Sequence, residues 1–316
     1  MNTEDPAAVL IWAVCAALSL ILCPLLAGII NRVKAFFAGR RGPKLFQLYY
    51  DMAKLLRKGS VYSATATDMI RLAPLCSLAG LLTCTLFLPF GTVYSPFSFT
   101  GDVLLFIYLL GFARVATVLG ALDTGSSFEG MGASRELQFS AMAEGAFLCI
   151  IGFLVMLTGN FSLSGILTGF DGGAWLVCGT SMLLIFVALA IILLVESCRV
   201  PFDDPETHLE LTMIHEAMIL DYSGPDLAMI FYGGALKLWL LSSLLVMLLL
   251  PFSGLSGIWN AVLYFGGVFL TAAGIGAVES IMARFRFLKV PQMLIGALCG
   301  SIVAVLLMIL FDGGAK

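Results

Sequence analysis

Charge is what this chain has least of. Only 12% of its 316 residues are Asp, Glu, Lys or Arg, while 60% are hydrophobic. Soluble domains average about a quarter charged residues, so a water-exposed globule is excluded. Histidine occurs twice, at His208 and His215. His215-Glu216 opens like a zinc-protease helix, but that motif needs its second histidine at position 219, where Ile219 stands. The eight cysteines (Cys15, Cys23, Cys76, Cys84, Cys149, Cys178, Cys198 and Cys299) are scattered, with no CxxC or CxxxC pair. Iron–sulfur and zinc ligation are therefore not expected, and the thiols read as small hydrophobes. A phosphate-binding GxxxxGK-S/T loop, a GxGxxG turn and a haem motif are all missing, so nothing in the chain is equipped for redox chemistry. The net charge of −3, without a basic arm, argues against a nucleic-acid partner.

What the chain has instead is long apolar runs. Eight are long enough to span a bilayer, near 8–30, 72–90, 103–122, 139–158, 175–195, 227–250, 259–278 and 293–311. A β-barrel would show short alternating segments instead. The acidic MNTEDPAAVL terminus lacks a basic n-region, so the first run is expected to be a span. The expected fold is all-α: a polytopic membrane protein of about eight transmembrane helices, forming one integral membrane domain over 1–316.

Lys and Arg set the expected orientation. The loop 31–71 holds Arg32, Lys34, Arg40, Arg41, Lys44, Lys54, Arg57, Lys58 and Arg71. The loop 123–138 has Arg135, 196–226 has Arg199, and 279–292 has Arg284, Arg286 and Lys289. The intervening loops have none. The odd loops are then cytoplasmic and both termini external. Within the first loop, PKLFQLYYDMAKLLRKG carries apolar residues at helical spacing with charges largely opposite, the pattern of an interfacial amphipathic helix.

One segment breaks the apolar rule. Glu196–Asp226 holds eight of the twenty acidic residues, both histidines and one arginine. Pro201 and Pro205 predict a non-helical turn over 199–205, and Asp204 before Pro205 predicts a capped helix running through Asp221. On it Glu206 and Glu210 are four apart, and His208 and His215 share a face. Carboxylates beside a membrane line water-filled cavities, because facing lipid is costly. Clustered carboxylates raise one another's pKa, so some of these are expected to exchange protons near neutral pH. Within or beside the spans stand Arg114, Glu136, Glu144, Lys237 and Glu279. These suggest a proton path from Glu136 and Glu196 inward through Glu144 and Lys237, with Glu144 or Glu279 as the partner of Lys237. The plainer reading is structural ion pairs, Arg114–Glu144 and Lys237–Glu279. A stand-alone carrier would be expected to show an inverted repeat, and none is visible.

Four blocks carry a resemblance: RRGPKLFQLYYDMAKLLRKG (40–59), LDTGSSFEGMGASREL (122–137), ESCRVPFDDPETHLEL (196–211) and ESIMARFRFLKVPQ (279–292). Together they resemble the membrane subunit 1 family of respiratory complex I. They look most like the branch in membrane-bound group 4 nickel–iron hydrogenases and formate hydrogenlyases. The first loop runs from Gly42-Pro43 almost directly to Gln47 and Asp51, shorter than in the quinone-reducing branch. In the signature ExxRxPFDLPEAExEL, Asp204 replaces Leu and His208 replaces Glu. The resemblance implies proton-coupling roles for Glu136, Glu196, Arg199, Asp203, Glu206, His208 and Glu210. It also implies docking of a hydrophilic arm on the basic first loop, with Arg40, Arg41, Gly42, Pro43, Gln47, Asp51, Lys54 and the third-loop Arg135 as candidates. The implied partners are hydrogenase large-subunit-like and small-subunit-like proteins, a ferredoxin-like iron–sulfur subunit and antiporter-like membrane subunits. A NiFe centre and iron–sulfur clusters would lie in those partners, with no cofactor in this chain, all in the cytoplasmic (inner) membrane. The alternative is the quinone-binding membrane subunit of an NADH:quinone oxidoreductase.

Overall fold

The computed structural model describes residues 6–63, 65–169, 175, 178–203, 213–250, 252, 257–283 and 289–312. Every described regular element is helical: α1 Pro6–Phe37, α2 Gln47–Leu55, α3 Met69–Phe87, α4 Asp102–Asp123, α5 Ser127–Thr158, α6 Leu163–Thr168, α7 Gly179–Glu196, α8 His215–Met218, α9 Gly224–Leu249, α10 Gly257–Ile281 and α11 Val290–Leu307, which ends in a π-helical turn, Met308–Asp312. Eight of these helices (α1, α3, α4, α5, α7, α9, α10 and α11) are long and apolar enough to cross a membrane. That is the number expected, and the chain is an integral membrane protein with eight candidate spans.

Helix α9 is the central post. It packs against α1, α2, α3, α7 and α10. Its Trp239, Leu236 and Leu240 are fully buried. Such a position requires a helix buried on nearly all sides. The other spans keep exposed large apolar side chains, such as Leu10, Tyr108, Leu183 and Leu270.

Helix α1 contains Pro24. Proline has no N–H, so the Leu20 carbonyl loses its helical donor. Tyr232 of α9 supplies one instead, donating to Leu20 O at 2.9 Å. Tyr49 of α2 donates to the next carbonyl, Ile21 O, at 2.5 Å. The proline thus frees the Leu20 acceptor that fastens α1 to α9. Gly28 on the same helix leaves room for Leu45, since a Cβ there would run into the Leu45 carbonyl.

Two boundaries differ from expectation. The block expected as the loop 123–138 is mostly helix: only Thr124–Ser126 separate α4 from α5. The reason is packing. Gly132 and Ala133 are buried, and a Cβ on Gly132 would meet Ile214 O at 2.9 Å, so these turns serve as an interface. Among the described residues, the helix expected to run through Asp221 is interrupted at Met213 and Ile214 and ends at Met218. Its described part is only α8, followed by a turn at Ile219–Asp221.

Candidate functional site

Inside the bundle, four helices bring five charged side chains together below the protein surface. Arg114 of α4 is the hub. Its Nη2 lies 2.5 Å from Glu196 Oε1 at the end of α7. Its Nη1 lies 2.9 Å from Glu144 Oε1 of α5, and its Nε 3.7 Å from Glu136 Oε1 of the same helix. Lys237 of α9 closes the set, with Nζ 2.6 Å from Glu196 Oε2. Glu136 and Glu144 are eight residues apart, close to two helical turns, which puts both on the α4 side of α5. Arg114, Glu136 and Glu196 are buried. The Glu144 side chain is 45% exposed, so the network reaches the bundle's flank there.

Arg114–Glu144 is thus paired as expected. The proposed partners of Lys237 are corrected: it binds Glu196, not Glu144 or Glu279. Lys237 faces α7, the neighbour of α9, whereas Glu279 at the end of α10 faces α1. Helix rotation decides this, and it is not readable from hydropathy. Glu279 forms a second cluster, 3.2 Å from Lys34 of α1 and 3.8 Å from Arg199.

Arg199 belongs to the turn after α7. That turn brings Asp203 against the network, buried to 3% exposure. Its Oδ2 accepts from Ile214 N at 3.3 Å and His215 N at 3.2 Å, so Asp203 caps α8 from a distance. His215 sits beside Lys237. Burial and that positive charge push its pKa down to about 4. Burial and the nearby Glu136 and Asp203 carboxylates raise the Cys198 thiol well above its usual range. Asp204, Glu206, His208 and Glu210 lie outside the described residues.

A cavity of about 330 Å³ opens beside the network. Its polar lining includes Asn31, Lys34, Arg114, Glu136, Glu196 and Lys237, and Leu48, Leu81 and Leu238 supply apolar wall. Lys34 joins two features, the cavity and Glu279. In the sequence it stands only as a topogenic charge, and its one signal is its place just past the first apolar run. Away from the cavity lining, acids that the sequence did not single out tie neighbouring segments together. Asp123 accepts from Thr67 N at 2.7 Å and Ile70 N at 3.2 Å. Glu129 accepts from Thr124 Oγ1 and from Asp221 N, and Tyr62 donates to Asp226 at 2.7 Å.

The expected docking residues are not brought into one surface. Arg40, Arg41, Pro43 and Lys54 are exposed, and Gly42 is half-buried against α1. Gln47 donates to Asp51 at 2.9 Å. Arg135 turns inward, donating to Met213 O at 3.1 Å.

Eight apolar helices around a buried Arg–carboxylate–Lys network define a membrane subunit of the complex I-like kind. The chain belongs to the NADH dehydrogenase family, whose model matches residues 9–310. It is 32% identical to Hydrogenase-4 component C of Escherichia coli (strain K12), over 87% of this chain and 88% of that protein. It is 31% identical to formate hydrogenlyase subunit 4 of the same organism, over 73% and 74%. Identity to an NADH-quinone oxidoreductase subunit of Koribacter versatilis (strain Ellin345) is 30%, over 85% and 68%. In fold it resembles a chain of the membrane-bound sulfane sulfur reductase, an archaeal respiratory membrane complex. That match has a TM-score of 0.78 at 18% identity and covers 94% of this chain and 99% of that one.

Proposed function

We propose that this chain is the membrane anchor and proton-coupling subunit of a hydrogenase-type, complex I-like oxidoreductase. The observation that carries the reading is the charge network. Three carboxylates, Glu136, Glu144 and Glu196, meet two cations, Arg114 and Lys237. The set holds one negative charge that a proton can neutralise, and such interacting groups take up and release protons as a unit. Glu144 gives the set an outlet on the bundle's flank, where an antiporter-like subunit would receive the change. Asp203 and Arg199 connect it to the acidic segment that continues through Glu206, His208 and Glu210. A redox arm docked over that segment and the Arg40–Pro43 turn would bias the set from one side. The identity to Hydrogenase-4 component C supports the hydrogenase branch, and the basic first loop supports a cytoplasmic site for the arm.

The test is composition and function together. A tagged chain purified from its native membrane should bring down a large subunit with two CxxC pairs and an iron–sulfur subunit. Purification of the chain alone, with solute transport by it in liposomes, would contradict the reading.

The cavity favours a second reading. Its volume and mixed lining fall in the range that holds small organic ligands, as in the quinone-binding alternative. Photoaffinity labelling of residues 40–60 by a quinone analogue in an active complex supports that reading, and an unlabelled active complex counts against it.

A further inference from the structure

Helix α2 and the turn after it present a face that neither the charge network nor the core uses. Ile21, whose carbonyl holds Tyr49, lies at the middle of α1. The end of α1 at Phe37 is about 24 Å further along, at 1.5 Å per residue. After Phe37 the chain therefore doubles back along α1, passing Gly28 at Leu45. Helix α2 begins level with the apolar part of the span. It then returns to the end of the bundle, where Val61 N donates to Ser223 Oγ at 2.9 Å, one residue before α9 begins.

The outward side chains change along this path. At the deep end, Phe46 is 52% and Tyr50 56% exposed, with the exposed Lys44 ammonium 5.9 Å from the Tyr50 ring centroid. At the shallow end, Lys54, Arg57 and Lys58 are exposed. The acid of the segment turns away, since Asp51 accepts from Gln47 at 2.9 Å and is half-buried. Among the described residues no carboxylate pairs with Lys54, Arg57 or Lys58. Aromatic rings at the depth of the span with unpaired cations above them match the layering of a bilayer's acyl boundary and its headgroups. A soluble arm approaches the end of the bundle and does not reach rings at that depth.

We propose that this face of α2 binds anionic phospholipid, with Phe46 and Tyr50 against the acyl chains and Lys54, Arg57 and Lys58 at the headgroup phosphate. The first-loop helix would then be held by lipid on its outer side and by Tyr49 and Leu45 on its inner side.

The experiment is native mass spectrometry of the full chain, delipidated in detergent. Phosphatidylglycerol, phosphatidylcholine and glycerol 3-phosphate are offered at equal concentration. The wild type should retain phosphatidylglycerol over phosphatidylcholine and form no adduct with glycerol 3-phosphate. Each basic residue at an anionic surface is worth roughly fivefold in preference, so the combined Lys54→Gln, Arg57→Gln, Lys58→Gln variant should lose it by roughly a hundredfold. These side chains are exposed, so the thermal midpoint should hold. The Arg40→Gln, Arg41→Gln variant should keep the preference. Equal retention of both lipids by the wild type, or a preference that survives in the first variant, overturns the proposal. So does a glycerol 3-phosphate adduct that this variant abolishes, which marks a free-phosphate site. A first variant that keeps its lipid preference but loses acidic subunits from the intact complex assigns the face to a protein and also overturns it.

Discussion

Lys237 places its ammonium 2.6 Å from Glu196, and Glu196 places its other oxygen 2.5 Å from Arg114. One carboxylate therefore bridges two cations on helices α4 and α9. Removing one partner of a buried pair leaves an uncompensated charge, which costs about 3–5 kcal/mol. Glu196→Gln, which strands Lys237, should lower stability by that order, and Lys237→Met by less, because Arg114 still pairs with Glu196. The double variant should lose clearly less than the sum, because the two side chains share one interaction. Additive losses in the thermal midpoints would show that they do not.

His215 should stay neutral across pH 5–8, because its pKa is pushed down to about 4. On the proposed coupling role, His215 is then not the group that carries the proton at neutral pH. The unfolded chain takes this proton near the ordinary value of 6.5. The unfolded state thus binds more protons between those values, so folded stability falls as pH drops from 6.5 towards 4 and is intact above 6.5. The check is a labelled-histidine NMR titration in a His208→Asn background. A His215 midpoint near 6.5 would refute the assignment.

Glu279 holds the Arg199 turn to Lys34 of α1. In the wild type, Cys198 beside that turn should react slowly with maleimide at pH 7, since the thiolate is disfavoured. Glu279→Ala should loosen the turn and speed labelling at Cys198 several-fold, read by site-resolved mass spectrometry. An unchanged rate argues that the turn is held from elsewhere.

Two glycines mark close approaches. Gly28→Ala should displace Leu45 and the start of α2, and Gly120→Ala should collide with Tyr222 and with Ala73. Overpacking of this kind costs about 1–3 kcal/mol. Tyr222→Phe should relieve part of the Gly120→Ala loss, since Ala73 Cβ remains in the way. Wild-type thermal midpoints in both single variants would remove the claim.

The eight spans were legible because each is a long apolar run, and the Lys and Arg pattern agreed with their number. The Arg114–Glu144 pair was also within reach, since isolated charges in apolar helices must find partners. The bond between Lys237 and Glu196 was not. It depends on which helices are neighbours and how each is rotated, and α7 and α9 are joined by a segment too polar for periodicity to place. The first turns of α5 were hidden for a related reason. Gly, Ser and Glu at 127–136 read as loop residues, yet they are the small and polar groups that let α5 pack on α8 and enclose Arg114. Lys34 was visible as a charge, but its role came from Glu279, 245 positions away.

The central claim is that the Arg114 network links redox turnover to proton movement. The most direct test is the proton-to-electron ratio of the assembled complex in sealed vesicles carrying Glu144→Gln. This residue is half-exposed, and glutamine still donates and accepts there, so assembly should survive. Dye-linked activity should stay near wild type while proton translocation falls by about a hundredfold or more, the low end of what one positioned proton-transfer group supplies. Wild-type translocation in a correctly assembled Glu144→Gln complex would contradict the claim.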